Sequence, residues 1–323
     1  MIIELNVLVV SLALLTFAFV ATYLIMPWLT VALKKARITG KDLHKLETPD
    51  VPNMGGIGIF VGFAASMTLS ALLGLDYRLL FAIFLSGTLA LLAGLIDDLF
   101  KLSKIALIMT TFLVAMPVVA FQAGSTEVYM TPVGPLNLNW VFWCLVPFAF
   151  AFLMNGVNIY AGFNGLEAGI GVISTLSLGI CALFYGSIES TLALFALSGA
   201  LLAFLRWNWF PARVFIGGSG TCLLGAVLAS SIIAGSIKVV GVIALLPYVI
   251  NFILRAIDHF TWTVGDTLPN SMVISNKRNA LWALFMYKSA VREEHVVAFC
   301  LLLQAIFGLA AVAFAYYQNF VVP

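Results

Sequence analysis

Residues 79–98 read LLFAIFLSGTLALLAGLIDD: an unbroken run without a charge, then Asp97 and Asp98 side by side. Wound as an α-helix, the uncharged part rises about 27 Å, close to the thickness of a bilayer's hydrocarbon core. No face of it is polar enough to meet water, and paired carboxylates cannot both face lipid. The stretch therefore reads as a membrane-spanning helix whose end carries the chemistry. The rest of the chain repeats that pattern.

Charge-free apolar runs fall at about 5–33, 55–75, 79–96, 105–122, 140–160, 168–186, 190–205, 214–237, 239–254 and 296–320. They predict an all-α polytopic membrane protein of about ten transmembrane helices, forming one integral membrane domain over 1–323. Composition agrees: of 323 residues, 63% are hydrophobic and 9% charged, and mean hydropathy is +1.10. Soluble domains carry about 45–50% apolar and about 25% charged residues, so a water-soluble globular protein, a disordered chain and a nucleic-acid binder are excluded. The start, Met1-Ile2-Ile3-Glu4, lacks the basic flank of a signal peptide, and its apolar run is too long for one. Cys144, Cys181, Cys222 and Cys300 stand singly in apolar runs and read as core residues.

Charge is strongly one-sided. Of 16 basic residues, only Arg78 and Lys238 fall outside the loops at about 34–54, 97–104, 155–168, 206–213 and 255–295. The positive-inside rule makes that side cytoplasmic, and an even span count then puts both termini on the extracytoplasmic side. Ten of the 14 acidic residues share the cytoplasmic side, and span interiors are nearly free of charge. A pump or channel would place ionisable groups along its path. The working surface is expected instead on the cytoplasmic face, in loops and helix ends.

Several polar stretches lie there. Gly40-Lys41-Asp42-Leu43-His44-Lys45, with Pro52-Asn53-Met54-Gly55-Gly56, allows close backbone approach to an anion at a helix start. Asp97-Asp98 offers carboxylate oxygens of the kind that suit Mg²⁺, and Lys104 would meet a phosphate if the chain continues as helix. Asn155 and Asn158 share a helix face and could point into one site, followed by Asn164 and Glu167 in a glycine-rich interruption. Arg213-Val214-Phe215-Ile216-Gly217-Gly218-Ser219-Gly220-Thr221 could form a phosphate nest but lacks the lysine of a Walker A loop. The segment 255–295 adds Arg255, Lys277, Arg278, Lys288 and Arg292, with His259, Trp262 and His295 nearby. Each stretch also has a plainer reading: a solvated basic loop, a helix end with local ion pairs, polar contacts between helices, or an anchor for anionic headgroups.

Together these motifs, over most of the chain, resemble the polyprenyl-phosphate N-acetylhexosamine-1-phosphate transferases. The pattern Asn155-x-x-Asn158-Ile159-x-Ala161-Gly162-x-Asn164-Gly165-Leu166-Glu167 and Gly40-x-Asp42-x-x-Lys45 resemble the dolichyl-phosphate GlcNAc-1-phosphate transferase branch. The muramoyl-pentapeptide enzymes usually carry aspartates at the places of Ala161 and Asn164 and a histidine run in the last loop. Short loops point to an archaeal-type member in the cell membrane; a eukaryotic member would sit in the endoplasmic reticulum membrane. The resemblance implies a Mg²⁺-dependent enzyme, with Mn²⁺ as an alternate ion. It would transfer GlcNAc-1-phosphate from UDP-GlcNAc to a polyprenyl or dolichyl phosphate and release UMP. Asp97, Asp98 and Lys104 would be catalytic. Asp42, Lys45, Asn155, Asn164, Glu167, Phe215 and Arg278 would bind substrate, Phe215 by stacking on uracil. Asn158 and Asp98 would hold the metal. At Gly218 this chain has glycine where the family carries an aspartate that is a principal Mg²⁺ ligand. That departure keeps a weakened or silent binding homologue open, and a lipid or solute transporter is the rival from another class. Spans rich in small residues permit a homodimer.

Overall fold

A computed structural model describes residues 2–72, 77–130, 134–261, 265–269 and 272–320. The chain is mostly helical: α1 (Ile2–Lys35), α2 (Gly56–Leu72), α3 (Tyr77–Phe100), α4 (Lys104–Ala120), α5 (Asn139–Tyr160), α6 (Leu166–Phe184), α7 (Ile188–Asn208), α8 (Gly217–Ala234), α9 (Lys238–Ala244), α10 (Leu246–Ile257), α11 (Leu281–Phe285) and α12 (Glu293–Phe320). Three two-stranded antiparallel hairpins interrupt the all-α expectation: β1 (Thr39–Lys41) with β2 (Asp50–Pro52), β3 (Glu127–Met130) with β4 (Gly134–Asn137), and β5 (Asp266–Thr267) with β6 (Val273–Ile274). They occur where polar loops must satisfy their own backbone, and two strands are the smallest unit that does so.

Among the described residues, seven helices are long and apolar enough to cross a membrane, and an eighth crossing results if α9 and α10 form one broken span. These two meet at Leu245 with a 63° bend, and Pro247, near the start of α10, lacks the N–H that would continue the ladder. The run expected over 239–254 is therefore two helices. The helices α2 and α4 are apolar but shorter.

The bundle is layered from α8 outward. In α8, 89% of the spanning window is buried, against 22% in α1. Against α8 pack α3, α5 and α7, while α1, α6 and α12 lie further out and α1 and α6 both pack on α7. Outward faces carry large apolar side chains such as Leu24, Trp28, Ile105 and Leu309, which only a lipid environment would accept in such number.

Two close approaches set the position of the site. A side chain at Gly94 of α3 would meet the Gly218 carbonyl oxygen at 2.5 Å, and one at Gly56 would meet the Gly220 nitrogen at 2.2 Å. Only glycine lets α2 and α3 come this near the first turn of α8. As a result, the end of α3, with Asp97 and Asp98, lies against the open N–H groups of α8.

Candidate active site

Asp98 reaches across to α8. Its Oδ1 accepts the Gly218 N–H and its Oδ2 accepts the Ser219 N–H, both at 3.0 Å. Neither the residue preceding α8 nor any side chain of its own sequence caps that helix, so a carboxylate borrowed from α3 does so, at the end where the helix dipole favours negative charge. Gly217 stands at φ +73°, a conformation that favours glycine, and a Cβ there would lie 2.8 Å from Asp98 Oδ2.

Asp97 is used differently. Its Oδ1 accepts the Leu102 N–H at 3.0 Å, closing the end of α3, where Lys101 adopts φ +52°. The helix stops here. Ser103 caps α4, its hydroxyl accepting the Ala106 N–H, so the continuous helix that would have aligned Lys104 with Asp98 does not exist. Lys104 opens α4, and its side chain lies outside the described residues. Lys101, three positions after Asp98, is the cation from this stretch that lines the pocket. The expected loop at 97–104 is thus only the short break at 101–103, because α3 runs on through Phe100.

A pocket of about 390 Å³ opens beside the first turn of α8. Beside the α8 start it is lined by Lys101, Asn53, Gly217, Gly218, Thr221 and Asn158, and around the Asp42–Asn164 pair by His44, Phe163 and Glu167; Lys41 lines it as well. Phe215 and Asn208 also contribute to its wall. The stretches at 40–56 and 213–221 are stitched together at this wall: Phe215 N–H donates to Pro52 O at 2.8 Å, and Gly55 and Gly56 N–H donate to Phe215 O and Ile216 O at 2.9 Å. The Phe215 ring lies against Gly40, where a Cβ would approach its Cδ2 to 3.3 Å.

The acidic end is built by partners far apart in sequence. Asn164 Nδ2 donates to Asp42 Oδ2 at 3.0 Å, and Glu167 Oε1 accepts the Gly162 N–H at 3.1 Å. His44 stacks on Phe163 with ring centroids 4.3 Å apart. Lys45 is not in the wall; its ammonium bonds Glu293 and lies over the Phe210 ring at 4.1 Å.

Asparagines 155 and 158 do not share a site. Thr221 Oγ1 donates to Asn158 Oδ1 at 3.4 Å beside the α8 start. Asn155 donates to Ala151 O and lines a second, apolar groove of about 540 Å³ between α4, α5 and α10. Phe148, Phe152, Phe252 and Phe260 form much of that groove, with Arg255 at its rim. Arg255 lies over Trp282 at 5.1 Å, and Trp282 packs edge-on against Phe163, so groove and pocket share a wall. Arg278 is exposed and stacks on Tyr287 at 4.1 Å, away from the pocket. In the same segment Asn279 and Lys277 bond Asp258 at 2.8 and 3.2 Å, and the Asn279 bond chiefly holds that carboxyl below its ordinary range. Trp262 lies outside the described residues.

Among the described residues, no three His, Cys, Asp or Glu side chains gather to hold a metal ion. The donors facing the α8 start are the Asp98 carboxylate, Asn158 Oδ1 and the Thr221 hydroxyl. Each Asp98 oxygen keeps a lone pair beyond the one its N–H partner uses. This set fits an ion of the Mg²⁺ type that takes one carboxylate and finds its other ligands on phosphate and water. It does not fit a resident, fully protein-held ion.

Sequence reading missed Asn208 in the wall and Glu293 behind it. Asn208 is 2% exposed, donates through Nδ2 to Val214 O at 3.0 Å, and leaves Oδ1 without a hydrogen-bond partner among the described residues. A buried amide oxygen left open beside a pocket is a place for a ligand's N–H or O–H. Its signal was an amide between Trp207 and Trp209, two residues after Arg206 closes an apolar run. Glu293 gave no local signal, since its partners lie more than a hundred residues away.

Known proteins resemble this chain over most of its length. The glycosyl transferase family 4 profile matches residues 80–236, from α3 to just past α8. A Saccharolobus solfataricus protein with the provisional name UDP-N-acetylglucosamine–dolichyl-phosphate N-acetylglucosaminephosphotransferase is 30% identical over 301 residues, covering 91% of this chain and 94% of its own length. A phospho-N-acetylmuramoyl-pentapeptide-transferase of Clostridium perfringens is 32% identical over 198 residues, covering 57% and 61%. A Bacillus subtilis protein described as a probable undecaprenyl-phosphate N-acetylglucosaminyl 1-phosphate transferase is 25% identical over 249 residues, covering 76% and 68%. With a matching profile and near-full-length similarity to such proteins, this chain belongs to glycosyl transferase family 4.

Proposed function

We propose that the chain transfers GlcNAc-1-phosphate from UDP-GlcNAc to a polyprenyl or dolichyl phosphate at the cytoplasmic membrane surface, releasing UMP. The observation that carries this reading is the polarity of one pocket. Its acceptors around Asn164 (Asp42, Asn164, Glu167) suit the N–H and hydroxyl donors of a uridine, and Lys101 beside the open α8 start suits a pyrophosphate, with Lys41 adding a second cation to the wall. Phe215 offers a ring face between them.

The lipid phosphate is already an oxyanion, so it needs alignment more than activation. Its oxygen attacks the β-phosphorus of the nucleotide sugar; the bond from that phosphorus to the bridging oxygen breaks, and UMP carries the oxygen away. Lys101 and Lys41 neutralise the charge that develops, Asp98 fixes the α8 N–H groups at the reacting end, and Asp97 holds the α3 terminus that presents Lys101. Asp98 and Asn158 would hold a Mg²⁺ ion, whose chemistry there would be further neutralisation of the pyrophosphate. The apolar groove that carries Asn155 and Arg255 receives the isoprenoid tail.

The finer architecture follows from the same reading. On this reading the seven long helices and the bent pair would be joined by the two shorter apolar helices to make ten crossings. The basic loops then face the cytoplasm, with both termini opposite, in a cell membrane of the archaeal type.

The test is UMP release from UDP-GlcNAc with dolichyl phosphate and Mg²⁺. Asp97→Ala and Asp98→Ala should each lower the rate at least a hundredfold; unchanged rates in both would remove the proposal. Gly218 favours one second reading, a binding homologue without turnover. UDP-GlcNAc binding with no UMP release at any Mg²⁺ concentration would establish that instead.

A further inference from the structure

Glu293 belongs to none of the motifs that carry the proposed chemistry. It opens α12 and is 3% exposed. A carboxylate this buried is costly unless its oxygens are engaged. Both are: Oε1 accepts the backbone N–H of Asn164 at 2.9 Å, and Oε2 accepts from the Lys45 ammonium. Lys45 also stands 3.6 Å from Asp42 Oδ2, the oxygen that receives Asn164 Nδ2 at 3.0 Å. Glu293, Lys45, Asp42 and Asn164 thus close a ring that joins three segments: the β1–β2 hairpin, the turn between α5 and α6, and the first turn of α12.

Of these four, only Asp42 and Asn164 line the pocket. Glu293 and Lys45 stand behind them. The ring settles which way the Asn164 amide faces, since Nδ2 is spent on Asp42 and Oδ1 remains for a ligand's N–H. It also leaves one net negative charge at this end, opposite to the cations around the α8 start. We propose that Glu293 is a positioning residue for the nucleoside end of the pocket. It fixes the Asn164 backbone and, through Lys45, the Asp42 carboxylate, so that both acceptors are in place before substrate arrives. This rests on reading the pocket as a uridine nucleotide site.

Pre-organised acceptors act on affinity at one end of the ligand and leave the other end alone. The experiment titrates UMP and inorganic pyrophosphate separately into the full chain in detergent. Glu293→Gln keeps an acceptor for the Asn164 N–H but loses the charge that holds Lys45; Lys45→Met removes the same link from the other side. Each should weaken UMP binding roughly tenfold, with pyrophosphate binding within about twofold of the original. In turnover, KM for UDP-GlcNAc should rise by a similar factor while kcat changes little. UMP affinity unchanged in both variants would overturn the proposal. Equal weakening of UMP and pyrophosphate would also overturn it, since a ring that merely supports the fold would loosen both ends. If the original chain binds pyrophosphate but not UMP, the reading of the pocket fails rather than the ring. Hydrogen exchange at Asn164 then tests the ring directly: faster exchange in Glu293→Gln supports it, and unchanged exchange disproves it.

Discussion

Gly218 concentrates the unusual chemistry of this chain in a missing side chain. The resemblance to its relatives leads one to expect a carboxylate there; the structure puts the Asp98 carboxylate beside it, with Oδ1 3.0 Å from where a Cβ would stand. The space and the helix-end N–H groups are already taken. Adding a second carboxylate by Gly218→Asp would crowd Asp98 and set two like charges side by side, which a divalent cation relieves. The variant should melt lower than the original in chelator, by about 2–4 °C for each kcal/mol lost. Millimolar Mg²⁺ should raise its melting temperature more than that of the original, because an ion that binds only the folded state stabilises it in proportion to its affinity. Equal Mg²⁺ shifts in both would show that Asp98 alone sets the affinity. The side chains of Asp98, Asp42 and Asn158 were picked out by residue type and place in an apolar sequence. Lys101 was passed over for Lys104 because a continuous helix was assumed where Lys101 and Ser103 in fact end one helix and start another.

At the scale of elements, helix ends rather than loops build the site. Four helices deliver it: α3 brings Asp98, α5 brings Asn158, α7 ends on Asn208, and α8 presents its N-terminus. The bend between α9 and α10 turns α10 against α5, and with α4 these form the apolar groove. Its separation from the polar pocket by Phe163 and Trp282 allows the two to be tested apart. Ala151→Trp fills part of the groove from α5. It should raise KM for dolichyl phosphate about tenfold and leave UMP binding unchanged. A matching loss of UMP affinity would show that groove and pocket are one site. Periodicity could not foresee the bend, because Pro247 near a helix start is compatible with either one span or two.

Across the whole molecule, lipid and water divide the surface. Apolar side chains cover the outer helices, and nearly all basic residues sit at one end of them. Ten crossings require both termini on the side opposite the pocket. Reporter tags at the two ends should therefore both be reached by a membrane-impermeant reagent from outside intact cells, and a cysteine at exposed Arg278 should not. Termini on opposite sides would mean an odd number of crossings and would demote one of the shorter helices α2 and α4.

Sequence by itself determined the apolar solvent, most of the helices and the gathering of charge in the connecting segments. Those follow from how far an apolar run reaches and where charges can avoid lipid, and both are local properties of the chain. Tertiary structure alone decided which polar groups meet. Asp98 caps a helix that begins more than a hundred residues later, Lys45 turns away from the pocket to hold Glu293, and Asn155 parts from Asn158 into a different cavity. The physical reason is that a buried polar group must find a partner, and nothing in its own stretch of sequence says which distant segment will supply one.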